Sequence, residues 1–259
     1  QFPNSYVGKY FFADLCNGWI RLFNPATNTA SAFAQGISTP VDLAVGADGS
    51  LYYLAQGNGG QLFRVQFAST VAVQSAVSRK SHGGVGAFDV PLPLTGTAGV
   101  EPRTGGASND YQIVVTLTGN GPISVDGSPQ AQVATGSATV GAGGVSNGGA
   151  VTVSGSTITI PLTNVANAQT IAVTLNNVND GTSTRSFTIP MSVLIGDINA
   201  NGGVSASDIG QVKAMTGQTV GSGNFRDDVN ASGAINASDV ALVKSVAGTS
   251  LPAAISRQK

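Results

Sequence analysis

The sequence predicts a mainly β protein that ends in a small helical module with a duplicated loop. Short apolar runs of period two, many of them rich in Val and Thr, predict strands, and 35 glycines favour turns between them. A loop at residues 197–208 recurs at residues 228–239, and each copy precedes a helical pattern. Composition along the chain predicts three units, at residues 1–67, 68–193 and 194–259.

The composition argues against nucleic acid and membranes as partners. Charged residues make up 10% of the chain, against roughly 25% in an average soluble domain. The formal net charge of −1 provides no basic surface for nucleic acid or for an anionic membrane, and no apolar run reaches about 18 residues. We therefore predict no nucleic-acid partner and no membrane span. The chain opens at Gln1, which we interpret as processing or as a fragment of a longer, exported polypeptide.

The single cysteine and the single histidine limit redox and metal chemistry. Cys16 alone allows no internal disulfide and no thiolate zinc cluster, and His82 alone allows no multi-histidine site. We expect Cys16 to be buried in a strand-rich core. For His82 we expect a position in a flexible linker or at the end of a strand.

The N-terminal unit is predicted to form an antiparallel meander. It holds most of the aromatic residues, in short apolar runs separated by turn dipeptides such as Asn17-Gly18 and Asp48-Gly49. Its length suffices for about one blade of a β-propeller, so it cannot close a ring. Acidic residues such as Asp14 and Asp48 have two interpretations, as remnants of a propeller metal site or as turn formers, and local turn chemistry favours the second.

Several segments of this unit resemble the final blade region of sugar dehydrogenase-like propellers: residues 8–14, 18–20, 40–43 and 48–54. That family includes enzymes that oxidise sugars with pyrroloquinoline quinone, PQQ. The resemblance implies that PQQ belongs only to a complete parent protein, whose cofactor-binding and catalytic residues lie on earlier blades. No catalytic position carries over to this chain. Whether it takes part in catalysis stays open, with a non-catalytic role favoured.

The middle unit is predicted to form an immunoglobulin-like β-sandwich, because several short strands alternate with turn signals. Alternation defines two apolar faces that two sheets could bury against each other: Ile113, Val115 and Leu117, and Ile171, Val173 and Leu175. Residues 133–149, rich in Gly, Ser and Ala, are expected to form a weak edge or a mobile loop. Polar residues beside the strand ends are expected to serve in loops, not in a catalytic site: Asp110, Asp126, Asn179 and Asp180.

Each copy of the duplicated loop presents oxygen atoms at the spacing of a calcium-binding loop. Oxygen-bearing side chains occupy positions 1, 3, 5, 9 and 12, a glycine at position 6 allows the sharp turn, and position 7 supplies a backbone carbonyl. The predicted ligands of the two calcium ions are Asp197, Asn199, Asn201, Gly203, Ser205 and Asp208, and Asp228, Asn230, Ser232, Ala234, Asn236 and Asp239. Each loop carries only two carboxylates, which predicts weaker binding than in a typical EF-hand.

Helix capping is the alternative explanation of these loops. Ser205 and Asn236 each precede an Asp by three residues, which is the spacing of a capping box. Capping accounts for the end of each loop. It does not explain Asp197 and Asn199 at alternating positions before a glycine, nor the recurrence of the pattern 31 residues later (228 minus 197). We therefore predict calcium binding, with capping alongside it.

Two short helices are predicted after the loops, at residues 206–216 and 237–247. Each carries an apolar stripe, formed by Ile209, Val212 and Met215, and by Val240, Val243 and Val246. The duplication of loop and helix, with Asp at position 12, resembles type I dockerin over the whole C-terminal unit. This resemblance implies two calcium ions and docking to a cohesin-like domain of a scaffold protein.

The resemblance also identifies candidate partner-binding residues. The recognition positions of the family fall on Ala206, Ser207 and Lys213, and on Ala237, Ser238 and Lys244. Since both copies carry the same Ala-Ser pair, two binding orientations related by a pseudo-twofold axis are implied.

The middle unit has a resemblance of its own, to a module that precedes dockerin-like tails in secreted bacterial multidomain proteins. It is carried by residues 78–83, 88–93, 99–103 and 175–180. The predicted function is calcium-dependent tethering of a secreted or cell-surface bacterial protein to a cohesin-like partner. One alternative is a fragment of a PQQ-dependent sugar dehydrogenase or another carbohydrate-active enzyme, inactive by itself. Another is a structural calcium clamp that docks onto its own sandwich and has no cohesin partner.

Overall fold

The computed structural model describes residue 2 and residues 6–65 and 70–252. The strands and helices are β1 (Tyr10–Asp14), β2 (Trp19–Asn24), β3 (Thr29–Gln35), β4 (Pro40–Val45), β5 (Leu51–Ala55), β6 (Gln61–Val65), β7 (Ala72–His82), β8 (Gly86–Pro91), β9 (Val100–Glu101), β10 (Tyr111–Thr118), β11 (Ser124–Val125), β12 (Ala131–Thr135), β13 (Thr139–Ala142), β14 (Val145–Ser146), β15 (Thr152–Ser154), β16 (Thr157–Thr163), β17 (Gln169–Asn179), β18 (Thr184–Val193), α1 (Ala206–Met215) and α2 (Ala237–Ser245). Short 3-10 helices occupy Gly57–Gly59, Gly106–Ser108 and Phe225–Asp227.

The chain divides into two compact units, at residues 1–69 and 70–259. The predicted boundary after Phe67 lies outside the described residues. The second compact unit holds both the predicted middle unit and the predicted C-terminal unit. Within it, we call residues 70–193 the two-sheet region and residues 194–252 the C-terminal module.

The N-terminal unit contains two three-stranded sheets, β1-β2-β3 and β4-β5-β6, in which consecutive strands pair antiparallel. Asp14 and Asp48 are turn formers, as expected. Asp14 Oδ1 accepts a hydrogen bond from the N–H of Asn17 at 2.8 Å, and Asp48 Oδ1 accepts one from Ser50 at 3.1 Å. Gly49 provides the left-handed residue of the second turn, with φ of +73°. A propeller blade stays a prediction for this unit.

The two-sheet region is built from a seven-stranded and a five-stranded sheet. The first has the order β14-β13-β16-β10-β7-β8 with β15 beside β16, and the second has the order β11-β17-β18-β9 with β12 beside β17. The predicted alternation of apolar residues in β10 and β17 is confirmed, because all six are at most 2% exposed and lie in one apolar cluster. Residues 133–149 contain β13 and the edge strand β14. At the other end of the region, Asp180 serves as a loop residue and accepts a hydrogen bond from Ser183 at 2.7 Å.

The C-terminal module forms around the two apolar stripes that the sequence predicts. Val212 of α1 and Val243 of α2 are fully buried, and the other stripe residues pack against the same cluster. That cluster also includes Val100 and Phe88 of the two-sheet region. The module therefore shares an apolar core with the sheet that ends in β9.

Two expectations about single residues need correction. Cys16 is exposed, not buried, because it lies in the turn after β1, where its N–H donates to Asp14 Oδ1 at 2.9 Å. His82 ends β7, so the strand-end alternative is confirmed, but it is fully buried and the linker alternative is wrong. Burial follows from its position under the C-terminal module.

Neither helix of the described chain has the length and apolar character that crossing a membrane requires.

Candidate metal centre

The first loop, residues 197–208, is shaped by its two aspartates. Asp197 Oδ1 accepts a hydrogen bond from the N–H of Asn201 at 3.1 Å, and Oδ2 accepts one from Gly202 at 2.9 Å. Asp208 reaches back from α1, with Oδ1 accepting from Asn199 at 3.4 Å and Oδ2 from Ser205 at 2.9 Å. The two carboxyl groups thereby hold the backbone of the loop through hydrogen bonds.

The second loop, residues 228–239, repeats these contacts. Asp228 Oδ1 accepts from the N–H of Ser232 at 3.0 Å, and Oδ2 accepts from Gly233 at 2.8 Å. Asp239 Oδ1 accepts from Asn230 at 3.1 Å, and Oδ2 accepts from Asn236 at 2.9 Å. The internal duplication of the sequence therefore gives matching backbone geometry.

The glycine at position 6 of each loop has the conformation that the pattern requires. Gly202 and Gly233 have φ of +88° and +90°, a region that side-chain-bearing residues rarely adopt. Ala200 and Ala231, two residues earlier, also have positive φ, at +58° and +55°. In both loops, the N–H of position 5 donates to the side-chain oxygens of positions 1 and 3.

Capping boxes are present at both helices. The side chain of Ser205 accepts the N–H of Ser207, and Asn236 accepts that of Ser238, while the Asp at N3 bonds back to the N-cap backbone. Asp208 and Asp239 therefore take part in helix capping. The aspartates at position 1 of each loop lie outside the helices, and no capping role applies to them.

The electrostatics of the loops favour a bound cation. All four aspartates of the two loops are fully buried. Burial raises the pKa of Asp197, and the charge of Asp208 raises it further; burial likewise raises the pKa of Asp239, with Asp228 adding to the effect. Among the described residues, no Lys or Arg side chain forms an ion pair with these carboxylates. A buried pair of like charges without a counter-ion is costly.

The donor set fits calcium. Besides two carboxylates, each loop offers amide, hydroxyl and backbone oxygens, which a hard cation with six to eight oxygen ligands prefers. The described residues contain no cluster of three or more His, Cys, Asp or Glu side chains, so a cation in either loop would depend on the amide, hydroxyl and backbone oxygens as well as on the two carboxylates. The twelve predicted ligands all lie in these two loops. Their role as ligands stays a prediction.

Residues 195–246 match the dockerin type I domain. No curated protein and no solved structure matches the chain. Dockerin domains bind calcium, bind cohesin domains in general, and occur in secreted or cell-surface proteins. The match begins and ends within the C-terminal module, so it supports a calcium-dependent cohesin-docking module at this end of the chain.

The residues predicted to bind a partner are exposed in both copies: Ala206, Ser207, Lys213, Ala237, Ser238 and Lys244. Each serine is tied to the loop that precedes it. Asn199 Nδ2 donates to Ser207 Oγ at 3.1 Å, and Asn230 Nδ2 donates to Ser238 Oγ at 2.7 Å. The residue at position 3 of each dockerin loop therefore contacts the residue at position 11.

Residues of the two-sheet region also contact the second dockerin loop, and the sequence pattern did not identify them. His82 Nδ1 lies 2.8 Å from Asp228 Oδ2, although the two residues are 146 positions apart. The N–H of Gly83 donates to the carbonyl of Ala231 at 3.0 Å, and that of Thr104 donates to Val229 at 2.8 Å. No local signal in the sequence joins these positions, since each pairing depends on how the module lies on the sheets.

Proposed function

We propose that the C-terminal module binds one calcium ion in each loop and, when loaded, docks to a cohesin-like domain, so that it tethers the chain to a partner protein. The family match and the buried carboxylate pairs support calcium binding. Calcium would be held by the side chains at positions 1, 3, 5, 9 and 12 and the carbonyl at position 7. It supplies the positive charge that the paired carboxylates lack.

The observation that carries the link from calcium to docking is the contact between position 3 and position 11. An Asn199 whose Oδ1 is a calcium ligand keeps its Nδ2 aimed at Ser207, and Asn230 does the same for Ser238. Calcium would then orient the exposed serines as well as order the loops. Without calcium, the like charges of each carboxylate pair would loosen the loop and release the serine.

Calcium titration calorimetry on the full chain, stripped with a chelator, tests the first half of the proposal. We expect two sites, of which Asp197→Ala removes one and Asp228→Ala the other. Asp42→Ala is a matched control, because Asp42 is an exposed carboxylate outside the loops. Absence of binding at millimolar calcium would leave the loops as capped turns and would end the tethering proposal.

Docking is tested with immobilised cohesin domains, with and without calcium. If either copy can face the partner, Ser207→Asp or Ser238→Asp alone will be tolerated and the double variant will lose binding. Ser222→Asp serves as the control, since Ser222 is exposed and outside both recognition positions. Loss of binding in one single variant equal to that in the double variant would exclude the two-orientation model.

A second candidate function is favoured by the contacts between the second loop and the two-sheet region. In this alternative, the module is a calcium clamp that holds its own sheets and has no cohesin partner. Both functions need calcium, but only tethering needs the exposed serines. A chain that binds two calcium ions and is stabilised by them, yet binds no cohesin of a broad panel, would favour the clamp.

We further propose that the chain acts outside the cell or at the cell surface of a bacterium, with the two-sheet region as an immunoglobulin-like spacer. The resemblance of residues 78–83, 88–93, 99–103 and 175–180 to modules before dockerin-like tails supports this arrangement. A parent protein with sugar dehydrogenase or polysaccharide-degrading activity stays a prediction. Assay of the full-length polypeptide for quinone-dependent sugar oxidation tests it, because the propeller centre would be complete only there.

A further inference from the structure

Among the described residues, the hairpin between β7 and β8 forms hydrogen bonds with the second loop and none with the first. β7 ends at His82, β8 begins at Gly86, and the turn between them carries Gly83. A Cβ atom on Gly83 would lie 2.2 Å from the carbonyl oxygen of Ser232, which is closer than real Cβ atoms approach. The backbone of the second loop therefore rests directly on this turn, and glycine is needed for the approach.

His82 extends this contact to a predicted calcium ligand. Its Nε2 lies 3.0 Å from Nη1 of Arg103. A guanidinium group can only donate, so Nε2 must accept and Nδ1 must carry the proton. Nδ1 therefore donates to Asp228 Oδ2 at 2.8 Å.

Arg103 holds the imidazole in place because all five of its N–H groups are engaged. Nε and Nη2 each donate to Glu101 at 2.7 Å. Other N–H groups donate to the carbonyl oxygens of Phe88 at 2.9 Å and Ser78 at 3.0 Å. Arg103 and Glu101 are both fully buried. The tautomer of His82 is thus determined by a rigid ion pair within the two-sheet region.

Aromatic rings close this network from solvent. Phe88 of the two-sheet region and Phe225 of the module are stacked, with ring centroids 5.4 Å apart and planes inclined by 5°. The ring of His82 meets both edge-on, at 5.2 Å and 6.1 Å. The guanidinium carbon of Arg103 lies 5.2 Å from the Phe225 ring. Hydrogen bonds enclosed in this way are stronger than exposed ones.

We propose that His82 is a positioning residue for calcium in the second loop, so that metal binding there and docking of the module onto the two-sheet region stabilise each other. Through Nδ1–H, His82 fixes the carboxylate plane of Asp228. Because Oδ2 accepts from both His82 and Gly233, the ion would be coordinated by Oδ1, which accepts one backbone N–H, from Ser232. Asp197, the matching residue of the first loop, accepts hydrogen bonds from two backbone N–H groups and, within the part of the chain that the structure describes, from no side chain. The proposal rests on calcium binding by the loops as proposed above.

Calorimetry on the full chain, with calcium binding by one loop removed by substitution, measures the effect of His82 on each loop separately. In an Asp197→Ala background only the second loop titrates, and in an Asp228→Ala background only the first. We expect His82→Ala to weaken calcium binding by about 10- to 100-fold in the second loop, the usual effect of losing an outer-shell partner. The affinity of the first loop should stay within about twofold. His82→Asn should restore part of the lost affinity, because its amide N–H can occupy the place of Nδ1–H.

The outcomes separate this inference from the proposed function. Absence of calcium binding to the unmutated chain would overturn both. Normal affinity of the second loop in His82→Ala, equal weakening of both loops, or no recovery in His82→Asn would overturn this inference alone. Gly83→Ala gives a second test that leaves the imidazole intact, since it should part the hairpin from the loop and weaken only the second loop. Gly84→Ala is its control, because a Cβ there meets nothing within 4 Å.

Discussion

The first loop, residues 197–208, and the second loop, residues 228–239, hold their paired aspartates with the same backbone hydrogen bonds but have different neighbours. The carbonyl oxygen of Ile198 in the first loop accepts from Arg226 Nε at 2.8 Å, within the module. The matching carbonyl of Val229 accepts from the N–H of Thr104 in the two-sheet region. Duplicated sequence therefore produces equivalent ligand geometry, while the supporting contacts of each loop depend on where the copy lies.

Substitution of Arg103 should have the largest effect on the difference between the loops. Arg103→Met should destabilise the chain by about 3–5 kcal/mol, because it leaves Glu101 as a buried, unpaired charge. It should also release His82 and weaken calcium in the second loop only. Urea unfolding measures the first effect, and calorimetry in the single-loop backgrounds measures the second. The double variant Arg103→Met/Glu101→Gln should be less destabilised, and equal destabilisation of the two would contradict this account.

Substitution of the two position-1 aspartates should have different effects on hydrogen exchange in the two-sheet region. At one hundred times its dissociation constant, calcium adds about 2.7 kcal/mol per site. With Asp228→Ala, the calcium-induced slowing of hydrogen exchange at the amides of Gly83 and Thr104 should disappear. With Asp197→Ala it should persist. Amide exchange followed by NMR or mass spectrometry checks this, and equal behaviour of both variants would remove the proposed asymmetry.

A further difference between the loops is the residue before each one, which is Asp227 for the second loop and Gly196 (227 minus 31) for the first. Burial raises the pKa of Asp227 to about 6, and its Oδ1 has no hydrogen-bond partner. The folded chain then binds this proton more tightly than the unfolded chain, so calcium-free stability should fall as pH rises from about 4 to 6. Asp227→Asn should reduce that fall, to which Asp197 and Asp239 also contribute, and add about 1–3 kcal/mol at pH 7. Urea unfolding at several pH values measures it, and an unchanged pH profile would contradict the prediction.

The smallest expected effect compares the glycines at position 6. Gly202→Ala and Gly233→Ala should each cost about 1 kcal/mol from the left-handed backbone. At Gly233 the new Cβ would also lie 3.0 Å from the carbonyl oxygen of His82 and 3.2 Å from Val85. Gly202 has nothing within 4 Å. Thermal unfolding should therefore show a larger loss for Gly233→Ala, by about 1 kcal/mol; equal losses would mean that the hairpin yields without cost.

Local patterns in the sequence predicted the elements that depend on nearby residues. Turn formation by Asp14 and Asp48, burial of the predicted apolar faces of β10 and β17, and both capping boxes agree with the structure. Each of these follows from side-chain periodicity or from contacts a few positions apart. The prediction that Cys16 is buried was wrong. It followed the hydrophobic tendency of cysteine, whereas the turn beside the residue determines its exposure. The prediction of two helices was correct in place, but α1 and α2 end one and two residues earlier than expected.

The sequence by itself determined the two candidate calcium loops, because the spacing of oxygen donors and glycine within twelve residues directs the local backbone. Only the tertiary structure decided that His82 and Arg103 support one loop and not the other. Those contacts arise from packing between segments more than a hundred positions apart, as the 146-residue separation of His82 and Asp228 shows. A sequence repeat carries no information about such packing, since both copies encode the same ligands and only one copy lies against the β7–β8 hairpin.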